Sequence, residues 1–304
     1  MKSCMASRRG VPWRLSPKRV ETRFVSPFSA SDAALDGFQV IRSHWRVVLG
    51  WCLFSLLGFV ALVVLAILAI VVVTLAPSTP AQANAAGGAV GGLILGLGGL
   101  SIQWVVVAAL YRLKLRPGEA PGFFYLRFSR AEGRLIGLWL TVLVGFAALV
   151  MAASFGVLWL LRLGAWAGDV ATLAAAVAIA WLALRTSLAG PANFATGRFG
   201  LADSWRLTRG RVWALFGMAL LALCLLALIA VVIFILTALV QAAIGGFHSF
   251  APVRLSDPEA LAQRPGAYVF GLIAELVIAP VYLVIAQAPL AAAYQALSTP
   301  AETA

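Results

Sequence analysis

Six apolar stretches with almost no charged residues alternate with short polar segments along this 304-residue chain. The hydrocarbon core of a bilayer is about 30 Å thick, and about 20 helical residues are needed to cross it. The pattern therefore predicts six transmembrane helices, at residues 47–76, 86–110, 135–161, 170–188, 212–244 and 267–290. The fourth stretch is short and rich in alanine, so it spans the bilayer only if Arg185 extends its side chain to the headgroups.

A short amphipathic helix is predicted before each of spans one, three and five, because apolar residues recur there at helical spacing opposite polar ones. The apolar faces are Ala34, Phe38, Ile41 and Trp45 in the first helix, Phe124, Phe128, Ala131 and Leu135 in the second, and Leu201, Trp205 and Val212 in the third. Helices of this type lie in the membrane interface. The predicted fold is an all-α polytopic membrane protein with six spans and three cytoplasmic interfacial helices.

The first and third amphipathic segments align without a gap, which suggests a three-fold parallel repeat of one interfacial helix followed by a pair of spans. The aligned pairs are Asp36 with Asp203, Phe38 with Trp205, Val40 with Leu207, Arg42 with Arg209 and Gly50 with Gly217. The middle copy fits only loosely. The alternative is that any interfacial helix shows this pattern.

Composition supports the same class, because 62% hydrophobic and 11% charged residues leave too little polar surface for a soluble globular protein. We expect residues 1–30 to form a basic, disordered segment, residues 31–297 a single transmembrane domain and residues 298–304 a short tail. Residues 1–19 are basic and unpatterned, and a translation start at Val20 is a further hypothesis for them.

Basic residues lie mostly on one side of the predicted spans. Of the 23 lysines and arginines, only Arg162, Arg254 and Arg264 fall in the opposite loops. Because positive charge is retained in short cytoplasmic loops, we expect both termini in the cytoplasm and the protein in a bacterial plasma (inner) membrane.

The net charge of +12 lies in short segments beside the spans rather than on a folded basic domain, which argues against nucleic acid as a partner. The expected partners are the lipid bilayer, anionic lipids in particular, and other membrane proteins. Membrane topogenesis alone produces the same charge bias. Candidate headgroup contacts are Arg127, Arg130, Arg206 and Arg209, and candidate interfacial anchors are Trp45, Phe128 and Trp205.

Two short segments resemble a known family type. Residues 185–191 read RTSLAGP and residues 204–210 read SWRLTRG. They resemble a motif of uncharacterised bacterial multi-pass membrane proteins and of the membrane domain attached to some glycerophosphodiester phosphodiesterases. The resemblance covers about residues 185–217 and implies a membrane-embedded architecture without a known activity. The hydrolase domain of those enzymes has no counterpart here, since the histidines are His44 and His248 alone and no acidic cluster accompanies them.

Sequence motifs for catalysis or cofactors are missing. The two histidines lie far apart, and Cys4, Cys52 and Cys224 have no metal-ligand spacing. No nucleophile elbow, phosphate-binding loop or dinucleotide fingerprint occurs in a suitable context. We therefore expect no enzymatic activity, no metal and no cofactor.

Glycines recur every fourth residue in the second span, at Gly88, Gly92 and Gly96. This spacing makes a smooth groove that another helix can approach closely. We expect the groove to pack against a helix of the same subunit, and a second copy of the chain is the alternative.

Glu275 is a carboxylate well inside the sixth predicted span. Inserting an ionised side chain there costs at least about 2.5 kcal/mol, so such a residue is a candidate functional group. Gln103 and Gln241 on other spans are its candidate hydrogen-bond partners. The alternatives are a protonated acid used for packing, or an acid close enough to the outer surface to stay hydrated.

The leading hypothesis is a non-enzymatic scaffold of the cell envelope that binds lipids or proteins through its basic helices. The alternative is a small transporter or permease that uses Glu275 to couple protons or bind its substrate.

Overall fold

The computed structural model describes residues 29–75, 79–116, 124–126, 129–245 and 263–298. Its helices are α1 (Ala30–Ser43), α2 (Trp45–Thr74), α3 (Pro80–Leu115), α4 (Arg130–Leu160), α5 (Ala165–Thr186), α6 (Ala189–Thr196), α7 (Leu201–Leu207), α8 (Val212–Gly245) and α9 (Pro265–Ser298). A short 3₁₀ turn, Leu161–Leu163, precedes α5. Six segments are long and apolar enough to cross a membrane. The chain is an all-α polytopic membrane protein, as the hydrophobic pattern predicts.

Three helices begin with polar caps that the sequence encodes locally. Ser29 caps α1, and capping boxes pair Thr79 with Gln82 at the start of α3 and Ser129 with Glu132 at the start of α4. Each box satisfies backbone N–H groups that the first helical turn leaves without a partner. The caps therefore fix where these helices begin.

Helix α9 is central to the packing, since it contacts α1, α2, α3 and α8. Helices α2 and α3 form one close pair, and α4 and α5 form another. The pairs α2–α3, α4–α5 and α8–α9 match the predicted span pairs. The segments that precede them differ in structure, and the three-fold repeat stays a prediction.

The packed core lies at one end of the bundle, which we call the α1 end because α1, α6 and α7 meet the long helices there. Its largest buried side chains include Trp51, Tyr111, Leu135, Phe194 and Ile285. Toward the opposite end, here the far end, large apolar side chains such as Val72 and Phe155 are exposed. Exposed apolar surface of this kind suits contact with lipid chains.

Helix α1 occupies the predicted position but turns a different face inward. Its buried residues are Ala33, Ala34, Gly37 and Val40, whereas the predicted face included Phe38 and Ile41. The reason lies in α9: a Cβ at Gly37 would stand 2.7 Å from the Cα of Ile285. Small residues allow this close approach, so the buried face of α1 contacts protein rather than lipid.

The second predicted amphipathic helix is not a separate element. Helix α4 begins at Arg130 and continues without a break into the third span, while Phe124 and Tyr125 form a turn with φ angles of 52° and 61°. Trp51 holds this turn, since its indole N–H donates to the carbonyl of Phe124 at 2.9 Å. The third predicted helix is shorter than expected and corresponds to α7. Arg127, Phe128 and most of the terminal segments 1–30 and 298–304 lie outside the described residues.

Candidate functional site

The α1 end contains an ion pair between two spans. Arg112, near the end of α3, pairs with Glu132 in the first turn of α4, and the two side chains are only 4% and 2% exposed. Arg112 also donates to the carbonyl of Tyr125 at 2.5 Å, and Glu132 accepts the backbone N–H of Ser129 at 2.8 Å. The pair therefore ties α3, α4 and the turn between them together.

Further basic side chains at this end have structural partners. Lys114 forms an ion pair with Asp36 of α1, and Arg116 donates to the carbonyl of Phe194 at 3.2 Å. The guanidinium of Arg185 lies 5.2 Å from the ring centroid of Trp181 and 5.0 Å from that of Trp205. Much of the basic charge thus holds helices together rather than facing the surroundings.

Some predicted headgroup contacts do face outward at the α1 end. Arg130 and Arg209 are exposed, whereas Arg206 is exposed but pairs with Asp203 at 2.7 Å. Of the predicted anchors, Trp45 is exposed, and Trp205 is 42% exposed because it also packs edge-on against Trp181. The described candidates therefore lie at one end of the bundle, but only part of the set is free to meet a lipid.

Glu275 lines a cavity of about 900 Å³ between α3, α8 and α9, which we call the Glu275 cavity. Its polar lining residues are Gln103, Thr237, Gln241, Glu275 and Tyr282. The remaining walls are apolar and include Leu226, Ile233, Phe234 and Ile278. The structure thus places both glutamines that the sequence suggested beside the same cavity as Glu275, and adds a phenol and a hydroxyl.

One interhelical hydrogen bond shows where the cavity lies along the length of the bundle. Tyr111 of α3 donates its hydroxyl to Gln287 of α9 at 2.8 Å, which sets the relative level of two helices that run in the same direction. At about 1.5 Å per residue, Gln103 lies about 12 Å and Glu275 about 18 Å beyond this bond toward the far end. The two polar groups are therefore within about 6 Å of the same level, well inside the length of both helices.

Hydrogen-bonding capacity in the cavity is only partly used by the described residues. Thr237 donates back to the carbonyl of Ile233 at 2.9 Å within α8. The side-chain oxygen of Gln103 is buried, and the described part of the chain offers it no hydrogen-bond donor. A buried acceptor without a partner costs free energy in the folded protein.

No family model, curated protein or solved structure matches the chain. The resemblance of residues 185–217 to bacterial multi-pass membrane proteins therefore stays a prediction. Within the ranges that the structure covers, no three His, Cys, Asp or Glu side chains come together as metal ligands. The Glu275 cavity and the exposed arginines must be interpreted from their own chemistry.

The glycine groove is open among the described residues. A Cβ at Gly88, Gly92 or Gly96 would meet no atom within 4 Å, so packing against a described helix of the same subunit does not occur there. The contact with α2 uses other glycines instead: a Cβ at Gly91 or Gly98 would stand 2.8 Å from Ile70 or 2.4 Å from Leu62. The expected packing within the subunit is therefore not found at Gly88, Gly92 and Gly96, and contact with a second copy of the chain stays the alternative.

Sequence reasoning missed a second cavity, of about 670 Å³, between α3, α4 and α5. Trp104 and Trp139 form one wall, with their rings stacked at 4.4 Å. The rest of the lining is largely apolar. Two tryptophans at the ends of different predicted spans were the available signal, but their pairing depends on tertiary packing.

Proposed function

We propose that the chain is a small permease that binds its solute at Glu275. The observation that carries this proposal is the Glu275 cavity, where an intramembrane carboxylate shares one space with amide and phenol groups from three helices. Placing an ionisable residue inside a membrane costs free energy, so such residues are rare there. Those that occur mark substrate and ion pathways. A role in packing alone requires a partner, and the described residues give Glu275 neither an ion pair nor a hydrogen bond.

The form of α9 supports movement around this site. Pro280 lies inside the continuous helix α9, between Glu275 and the anchored α1 end, and a proline removes one backbone hydrogen bond and favours a bend. On the α1 side of this point, α9 is held by Gln287 and by Gln295, whose amide donates to the carbonyl of Lys114 at 2.7 Å. A bend at Pro280 would change access to Glu275 while leaving the packed end in place.

The proposal is tested in proteoliposomes with an imposed pH gradient and a panel of labelled solutes that includes organic cations, amino acids, sugars and organic anions. We expect one class to be taken up, Glu275→Gln to abolish the uptake, and Glu275→Asp to retain part of it. Protein amount and thermal stability serve as controls. Uptake that is unchanged in Glu275→Gln, or lost only in proportion to protein amount, would contradict a transport role for this residue.

The second candidate function is the lipid- or protein-binding scaffold. It is supported by the exposed Arg130 and Arg209 beside the exposed rings of Trp45 and Trp205 at the α1 end. Each juxtamembrane arginine is worth about 1 kcal/mol at an anionic leaflet. Charge reversal of Arg130 and Arg209 together should lower the amount of anionic lipid that co-purifies, whereas reversal of Arg162 at the far end should not.

Both candidates share a proposed orientation, with the α1 end in the cytoplasm of a bacterial inner membrane. The clustering of basic residues at that end supports it. Neither candidate assigns a chemical reaction or a cofactor to the chain, and lipids and other membrane proteins are its proposed partners.

A further inference from the structure

We infer that the Glu275 cavity binds an organic cation with an apolar body, an inference that rests on the proposed solute-binding role of Glu275. Its first support is the sign of the charge. Among the described residues that line the cavity, Glu275 is the one carboxylic acid, and no lysine, arginine or histidine accompanies it. In a low-dielectric site, a carboxylate either binds a proton or pairs with a positive charge. Since the lining provides no positive side chain, a ligand that pairs with an ionised Glu275 is itself a cation.

One other polar atom of the lining favours the same sign. The buried side-chain oxygen of Gln103 is an acceptor without a described donor, and its partial negative charge faces no basic side chain of the lining. A cation is attracted by this dipole and by the carboxylate, whereas an anion is repelled by both. The local electrostatics therefore select against anionic solutes.

A divalent inorganic cation fits this cavity poorly. Calcium takes six to eight oxygen ligands and magnesium requires close octahedral geometry. The cavity offers few oxygens, the hydroxyl of Thr237 is already directed to Ile233, and Tyr282 lies about 10 Å along α9 from Glu275 at the helical rise. Oxygens spread over this distance cannot surround one small ion.

The walls match an apolar body instead. A space of about 900 Å³ lies within the range of ligand pockets, and its walls include leucine and isoleucine side chains together with Phe234 and Tyr282. Aromatic faces attract cations, most strongly where water is excluded. The lining thus combines one acid, a few polar atoms and a large apolar surface, which is the complement of a lipophilic cation.

One side of α3 offers such a ligand a path from the membrane. Gly88, Gly92, Gly96, Gly99 and Gln103 follow each other at spacings of three or four residues and therefore lie on one face of the helix. A Cβ at any of these four glycines would meet nothing within 4 Å. The uncovered face leads along α3 from Gln103 toward the far end, so a molecule dissolved in the bilayer reaches the cavity without crossing a packed interface.

The test uses two probes of nearly the same shape and opposite charge, tetraphenylphosphonium and tetraphenylborate. Binding of each labelled probe to the purified full-length chain in mild detergent is measured by equilibrium dialysis, with protein-free micelles as the control for partition. We expect saturable binding of tetraphenylphosphonium, no saturable binding of tetraphenylborate, and at least a tenfold loss of tetraphenylphosphonium affinity in Glu275→Gln. Glu275→Asp, which keeps the charge, should retain most of the affinity.

The comparison of the two probes needs no variant, so it holds even if Glu275→Gln does not fold. Equal binding of both probes, or binding of the phosphonium that is unchanged in a folded Glu275→Gln, overturns the inference. If the wild-type chain binds neither probe but shows Glu275-dependent uptake of a non-cationic solute, the ligand class is wrong and the permease proposal stands. If neither binding nor Glu275-dependent uptake is found, both fail.

Discussion

Replacing Arg112 by methionine should destabilise the folded protein strongly, because it leaves the carboxylate of Glu132 buried without its counter-charge. The two side chains are 4% and 2% exposed, so neither water nor salt can take the place of the lost partner. The change also removes the donor to the carbonyl of Tyr125, which Arg112 contacts at 2.5 Å. Methionine keeps the length and apolar stem of the side chain, so the loss is mainly electrostatic.

The magnitude follows from burial. Removing one member of a buried ion pair costs about 3–5 kcal/mol, which is more than about a hundredfold in the unfolding equilibrium. The chain provides a matched control in Arg206 and Asp203, the same kind of pair at 2.7 Å, in which Arg206 is 81% exposed. Solvent-exposed pairs contribute about 0–1 kcal/mol. We therefore expect Arg206→Met to change the free energy of unfolding by less than about 1 kcal/mol.

The assay is reversible unfolding in mixed micelles with rising fractions of sodium dodecyl sulfate, followed by tryptophan fluorescence. A third variant, Arg112→Met with Glu132→Leu, should recover part of the lost stability, because an apolar pair avoids the isolated charge although the variant also loses the capping box at the start of α4. The reasoning is refuted if Arg112→Met costs no more than Arg206→Met, or if the double variant is no more stable than Arg112→Met alone.

Two further predictions concern glycines. Gly37→Ala should cost about 1–3 kcal/mol, because the added Cβ would stand 2.7 Å from the Cα of Ile285; the control Gly133→Ala, where a Cβ meets nothing within 4 Å, should cost nothing in the same unfolding assay. Gly98→Ala should weaken the α2–α3 contact and lower the free energy of unfolding. Gly92→Ala should leave that free energy unchanged, or raise it by up to about 1 kcal/mol because alanine has the higher helix propensity. A clear loss of stability in Gly92→Ala would instead indicate that a second copy covers the groove.

Span positions could be predicted from sequence because the bilayer imposes a length on apolar helices that does not depend on tertiary contacts. The predicted spans 47–76 and 212–244 differ little from α2 and α8. Helix α9 runs eight residues beyond the predicted end at residue 290, because its last turns pack at the α1 end rather than ending at a headgroup layer. Hydropathy detects lipid contact, and it loses accuracy where protein contact replaces lipid.

The helices that face protein could not be predicted, because hydropathy does not detect contacts between side chains. Helix α6 is almost wholly buried, although nothing in the hydropathy of residues 189–196 separates it from the span before it. The ring of Phe194 there lies 5.1 Å from the guanidinium of Arg116 and 6.1 Å from the ring of Tyr111, contacts between residues distant in sequence. The amphipathic pattern selects the large apolar residues of α1, whereas the face that packs on α9 is built from small residues such as Gly37.

The candidate site, too, could be predicted only in part from the sequence. Glu275, Gln103 and Gln241 could be selected from sequence because a polar residue inside an apolar span is conspicuous whatever surrounds it. That they share a cavity depends on the rotation and level of three helices, which the bond between Tyr111 and Gln287 helps to fix.

The distribution of packing along the bundle bears on how a permease of this form could work. Ion pairs and buried aromatic rings hold the α1 end, where α9 is fixed through Gln287 and Gln295. Beyond Pro280 the described helices have few buried side chains, and the cavity separates α9 from parts of α3 and α8. Regions with few buried contacts open at lower free energy than the packed core. For the proposed permease, packing therefore opposes a movement of the far half of α9 about Pro280 less than a movement of the α1 end, and such a movement would change access to Glu275.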